Sequence, residues 1–309
     1  DLRVHIPDGY LSPATAGALY FAAVPFWAIA VRRVRVAMGG RTVPLLAIFS
    51  AFTFAIMMFN VPVPGGTTAH GVGGTLAAIV LGPWAAVIST SVALILQALF
   101  FGDGGIVAIG ANCFNMGVAL PLAGWVVYRL IAGRSPGHAQ RRVVAAAIGA
   151  YAGITLSALL VGTELGVQPI FWSAQGVPQY SPYGLATAIP AMLLAHLFGA
   201  SFVEAAITAL GVGYLQRTMP ELLGGGADDA PGAARRGWIV TVGVVLASIA
   251  AIVVAGLVVG GDLGHWGGLD WSVVDWAAAG QTVLVSVIVS AIALPALAFV
   301  LRGRPGRSE

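Results

Sequence analysis

Two histidines lie in the two polar strings of an otherwise apolar chain. VHIPDGYLSP, starting at Val4, carries His5; PVPGGTTAHGVGG, ending at Gly74, carries His70. Imidazole is the commonest protein ligand for late first-row divalent metals, so such a pair, brought together, suits an ion of that kind. The same residues also read as ordinary solvent-facing loop histidines. A third string, FFGDGGIVAIGANCFNMG, sets Asp103, Asn112 and Asn115 around a glycine-rich break. Polar side chains at membrane depth are costly and suggest function, although these amides, like Gln97, also serve to bond helix to helix. Glu204 and His196 share one apolar run, eight residues apart, on one helix face but two turns distant. His138 and His265 fall in loops and read as bystanders.

The elements that must carry these residues are membrane spans. Hydrophobic residues make up 58% of the 309 and charged residues 9%, against roughly 25% charged in soluble domains. Apolar runs predict spans at 14–32, 43–60, 84–101, 110–131, 142–162, 185–214, 238–260 and 279–301. A shorter run, 72–82, reaches only about 16 Å as a helix, near half of a ~30 Å bilayer core.

All fifteen basic residues are arginine. With no lysine, a Walker A phosphate loop and lysine Schiff-base chemistry are excluded. The net charge of +3 does not indicate nucleic-acid binding, because the arginines flank spans. Loops bearing Arg32, Arg33, Arg35 and Arg41, then Arg129, Arg134, Arg141 and Arg142, then Arg217, Arg235 and Arg236, read as cytoplasmic, as does the end bearing Arg302, Arg304 and Arg307. Only Arg3 falls on the other side. The expected fold is thus an all-α polytopic membrane protein, N-terminus outside and C-terminus inside. Six to seven segments form the main domain, and a two-span unit follows. Cys113 is the only cysteine, so no internal disulfide forms. No basic stretch precedes the first apolar run, so a cleaved signal peptide is not expected.

Composition divides the chain into a main domain, 1–218, a Gly/Ala/Asp-rich cytoplasmic linker, 219–237, and the two-span unit, 238–309. The outer loop of that unit holds Trp266, Trp271 and Trp276, which read as interfacial anchors. Ala14, Ala18 and Ala22 repeat at four-residue spacing, a face on which a partner helix can approach closely.

HIPDGYLSP, VPVPGGTTAHGVGGTLAAIVLGPWAA and LILQALFFGDGGIVAIGANCFNMG, in this order, resemble the substrate-specific membrane component of cobalt/nickel energy-coupling-factor transporters, the CbiM/NikM family, over about residues 4–217. The last two spans resemble the small auxiliary subunit of those systems, fused in one chain. The resemblance implies a multi-pass component of the prokaryotic plasma membrane that is not an enzyme. Ni²⁺ or Co²⁺ is its transported substrate, and it needs no cofactor. The implied partners are a transmembrane coupling subunit and two ATPase subunits, in the lipid bilayer and with no nucleic acid.

The resemblance also implies a near-square-planar nitrogen site. Its ligands are the N-terminal amine, the backbone nitrogen and ring of the histidine next to it, and a second histidine after the second span. Those histidines correspond to His5 and His70, with Asp8, Asn60, Thr67, Asn112 and Asn115 expected in support. The family's first histidine is the second residue of the chain, whereas here it is the fifth. Val4 is therefore the expected true N-terminal residue, since an amine on Asp1 cannot close the same small ring. Two rivals remain: an intramembrane metal-dependent enzyme, which needs a carboxylate beside the histidines, and a vitamin-binding component, which needs a larger aromatic pocket.

Overall fold

A computed structural model describes residues 5–36, 42–63, 67–133 and 139–223. Val4, most of the linker and the two-span unit 238–309 lie outside the described residues.

The described chain begins with a hook. Pro7, Asp8, Gly9 and Tyr10 form a tight turn in which Tyr10 N–H donates to Pro7 O at 3.4 Å. Gly9 has φ +88°, the conformation that the third position of a type II turn needs. Helix α1 (Pro13–Val36) follows, with Ala16, Leu19, Ala23 and Ala30 turned inward. Helix α2 (Thr42–Met57) leads into an antiparallel hairpin, β1 (Asn60–Val63) with β2 (Thr67–His70), whose register sets Asn60 opposite His70.

Helix α3 (Gly74–Leu81) has eight residues, six of them buried. At about 1.5 Å per residue it rises roughly 12 Å, short of ~30 Å of hydrocarbon. The short run 72–82 is therefore a half-helix. Helix α4 (Pro83–Phe101) starts on a proline, as a first helical turn permits. Next come α5 (Ile109–Asn112), a π-helical turn (Cys113–Ala119) and α6 (Leu120–Ala132), which form one continuous run.

Helix α7 (Ala139–Gly166) packs along α6, and its Gly149 and Gly153 meet the Gly124 region so closely that no side chain fits between the two backbones. A short α8 (Gln168–Phe171) and a hairpin, β3 (Ser173–Ala174) with β4 (Val177–Pro178), cap that end. Helix α9 (Leu185–Ala195), a second π-helical turn (His196–Ala200) and α10 (Ser201–Thr218) form another continuous run. Five of the described helical runs are long and apolar enough to cross a membrane, and α2 is shorter.

Pro220–Leu223 is a 3₁₀ turn with Leu223 buried, and Arg142 donates to the Leu223 carbonyl. Residues 219–223 thus belong to the folded unit.

Candidate metal site

The hook is fastened across the bundle end by bonds to four separate segments. Ile6 N–H donates to Asn112 Oδ1 at 3.2 Å, and Asn112 Nδ2 donates back to Ile6 O at 3.3 Å. Gly105 N–H also donates to Ile6 O at 2.9 Å, and Asp8 accepts from Ile106 and Val107 N–H at 3.1 and 2.9 Å. Ser12 N–H donates to Gln168 Oε1 at 2.9 Å, while Ser181 N–H donates to Tyr10 O at 3.1 Å. These contacts exclude water from the histidine on the hook: His5 is 2% exposed.

His70 reaches the same place from the β-hairpin. The His5 and His70 ring centroids lie 4.9 Å apart, edge to face, and His70 is 6% exposed. Both line a cavity of about 20 Å³, room for one water-sized occupant. Thr68, Val72, Asn112 and Met116 line it too, as do Ile154, Ser157, Ala158 and Val161 of α7 and Met192 and His196. Among these described residues there is no carboxylate and no thiol. That donor set suits a borderline transition-metal ion and is poor for Mg²⁺ or Ca²⁺.

The hydrogen bonds fix which ring nitrogen is available. His5 Nε2–H donates to Gln97 Oε1 at 3.0 Å, and Gln97 Nε2 donates on to Phe54 O at 3.5 Å, which orients the amide. His5 Nδ1 is left buried without a hydrogen-bond partner, a lone pair awaiting a Lewis acid. His70 Nδ1–H donates to Gly71 O at 3.0 Å, leaving Nε2 as its unprotonated nitrogen. Each ring is thus oriented through the nitrogen it does not offer, as in many metal sites. Nδ1 is also the nitrogen of His5 that can close a chelate ring with its own backbone nitrogen.

Burial pushes the His5 imidazole down from its usual 6.5 to about 4 and His70 to about 3; the neighbouring His5 adds to the shift on His70. A histidine in the unfolded chain takes up a proton below about 6.5, whereas these rings resist until far lower pH. The stability they contribute is therefore complete above about pH 6.5 and is lost as pH falls through about 4 and then about 3. Histidine-selective NMR of the metal-free protein should show both rings neutral and flat from about pH 8 to about pH 5; a midpoint near 6.5 for either would contradict its burial.

The other expected site residues divide. Asn112 lines the cavity and holds the hook. Asp8 is exposed and binds the 106–107 loop, so it supports the hook from outside the cavity. Asn115 faces elsewhere: its Nδ2 donates to Glu164 at 2.7 Å. Asn60 and Thr67 stand on β1 and β2, Asn60 in register with His70. Ala14, Ala18 and Ala22 are half-buried on α1.

Three contributors are not singled out for the site by sequence. Gln97 orients His5. Glu204 accepts from Val72 and Gly73 N–H at 2.7 and 2.8 Å, holding the loop just after His70. His196 does not pair with Glu204; its Nδ1–H donates to Met192 O at 2.8 Å, on a ring that lines the cavity. The signal available for Glu204 and His196 was the cost of an ionisable group within a membrane run.

A helical membrane bundle that folds its N-terminal segment over two neutral imidazoles defines a class: membrane proteins that handle a transition-metal ion. Within it, the chain belongs to the CbiM family, described as the cobalt uptake substrate-specific transmembrane region, which matches residues 5–222. The fused nickel transport protein NikMN of Rhodobacter capsulatus is 47% identical over 282 residues, 89% of this chain and 79% of that protein. The probable fused nickel transport protein LarMN of Lactiplantibacillus plantarum is 51% identical over 220 residues, 70% of this chain and 66% of that one. Similarity also extends to the cobalt transport protein CbiM of Geobacter sulfurreducens, at 34% over 268 residues. Among solved structures, a transition metal transporter matches 77% of this chain and 99% of its own, with 47% identity and a TM-score of 0.65. These relatives are named as transport proteins for nickel, cobalt or transition metals, and membrane transport of such ions is the family's activity.

Proposed function

We propose that this chain is the capture subunit of an ATP-driven importer, binding Ni²⁺ or Co²⁺ at the outer face of a prokaryotic plasma membrane through His5 and His70. The observation that carries the reading is the pair of buried, neutral imidazoles 4.9 Å apart, with His5 Nδ1 lacking any partner. The names of the nickel and cobalt transport relatives support the choice of ions. A metal-dependent enzyme would need a carboxylate at the cavity, and a vitamin carrier would need far more than about 20 Å³; neither is met by the described lining.

A chain whose amine lies on Val4 would complete a four-nitrogen plane with His5 N, His5 Nδ1 and His70 Nε2, a geometry suited to Ni²⁺. N-terminal sequencing of the purified protein tests that element: an amine on Asp1 removes it, leaving two imidazoles. ATP hydrolysis falls to two partner ATPases through a transmembrane coupling subunit, because this chain has no lysine for a phosphate loop. The two-span unit 238–309 serves as a fused auxiliary subunit.

Uptake of radiolabelled Ni²⁺ and Co²⁺ by cells expressing the full chain with its coupling and ATPase partners tests the whole reading. Accumulation that persists without the ATPases would remove ATP-driven import. Ala14, Ala18 and Ala22 form the docking face for the coupling subunit in this reading. Leucine at all three should cut uptake by about tenfold, since small-residue helix contacts tolerate no added bulk, while metal binding stays intact. Normal uptake in that variant would discard the face.

A further inference from the structure

We infer that His196 is the inward transfer ligand: its Nε2 takes the ion from the His5–His70 pair when the ion leaves the capture site. This rests on the capture reading above. Along α7 the cavity lining runs from Val161 to Ile154, seven residues and about 10 Å of rise. The two ends of that stretch of α7 are distinguished by their neighbours. The hook meets the α8 end through Ser12 and Gln168. The π-turn that begins at His196 lies at the other end, level with Tyr151 and Thr155: Tyr151 OH donates to Leu197 O at 2.9 Å, and the Thr155 and Ser201 hydroxyls are 3.0 Å apart. The strand β2, which ends at His70, packs directly on that π-turn.

His196 is 6% exposed, and its Nδ1–H is committed to Met192 O, so the nitrogen it can offer is Nε2. The Met116 and Met192 side chains line the same cavity and add adaptable thioether surface. Among the described residues, no three His, Cys, Asp or Glu side chains are gathered to hold one ion at once. In this proposal His196 is next in line to the pair. The step is ligand exchange: coordination to His5 and His70 breaks, coordination to His196 Nε2 forms, and the ion keeps its +2 charge. A π-turn suits this place, because such bulges interrupt a helix frequently at functional sites and free local backbone to shift.

The test pairs two measurements on His196→Ala in the full chain: Ni²⁺ affinity of the purified protein, and uptake by cells with the partner subunits. Affinity should change by less than about fivefold while maximal uptake falls by about tenfold or more, with half-saturating Ni²⁺ little altered, the pattern of a step after capture. Unchanged uptake overturns the proposal. Affinity lost as fully as in His70→Ala also overturns it, because His196 would then belong to the capture site itself. If the alanine variant does not accumulate in the membrane, His196→Asn, whose amide nitrogen takes the place of Nδ1 and can still donate to Met192 O, is read by the same two outcomes. Failure of the capture reading is seen separately, as Ni²⁺ affinity that survives His5→Ala and His70→Ala.

Discussion

His70→Ala lowers Ni²⁺ affinity by about 100-fold or more, and His5→Ala lowers it at least as far. Outer partners of a metal site typically account for 10–100-fold, and a ligand itself for more. The two rings are the described imidazoles within one ring-width of each other, and both are neutral at physiological pH, so no proton competes with the ion for them. His5 carries the larger expected loss because its ring closes the proposed chelate with its own backbone nitrogen, and alanine opens that ring. Gln97→Leu provides a graded third point. It removes the acceptor that fixes the His5 tautomer, without touching the ligand nitrogen, and should cost about 10–100-fold. Equilibrium dialysis with radiolabelled Ni²⁺, repeated with Co²⁺ in competition, reads all three. Wild-type affinity in both alanine variants would dismantle the site. Global misfolding is not the expected cause of loss, because the helices pack through separate apolar clusters that contain neither ring.

The sequence carried the long apolar helices and the two histidine-bearing polar strings in legible form, because both signals are local. Long apolar runs foretell the long helices, and Pro7-Asp8-Gly9 spells its own turn. Where physics acts across distance, the reading stops. Gln97 looks like a generic interhelical amide until the hook, 92 residues away in sequence, sets His5 on it. His196 and Glu204 share a run, yet one lines the cavity and the other bonds a loop 131 and 132 residues away in sequence. Nothing in an eight-residue spacing separates those roles. The run 72–82 was too short for a span, and its fate as a half-helix depended on a bundle able to bury its polar ends, which only tertiary packing supplies. Asn115, a polar residue beside the glycine-rich break, gives no local sign of its partner, Glu164, 49 residues away in sequence.

Glu204→Leu carries the second large expected effect, because it removes the support of the ligand loop. Glu204 is fully buried, and one oxygen, Oε2, accepts both Val72 and Gly73 N–H, the residues two and three after His70. These are donors at the start of the half-helix α3, where no earlier turn can supply acceptors, so an oxygen from α10 completes them. Gly73 holds φ +75° to present its N–H there, and a Cβ at that position would strike Phe52, which leaves the loop little freedom to find other partners. With leucine, two buried N–H groups lose their acceptor at about 1–3 kcal/mol each, so the variant should be destabilised by roughly 2–6 kcal/mol. The loop then shifts and carries His70 away from His5, and Ni²⁺ affinity falls by about 10–100-fold even though no ligand has been replaced. Glu204→Gln keeps an acceptor oxygen of similar reach and should recover most of both losses, at a cost of about 1–2 kcal/mol for the weaker bonds. Thermal unfolding and Ni²⁺ dialysis on the three proteins separate the cases, and the ligand-field absorption of bound Ni²⁺ reports whether His70 still occupies its place. A leucine variant that melts lower but binds with wild-type affinity and spectrum would reduce Glu204 to a packing role; joint loss, with rescue by glutamine, ties the loop that follows His70 to α10.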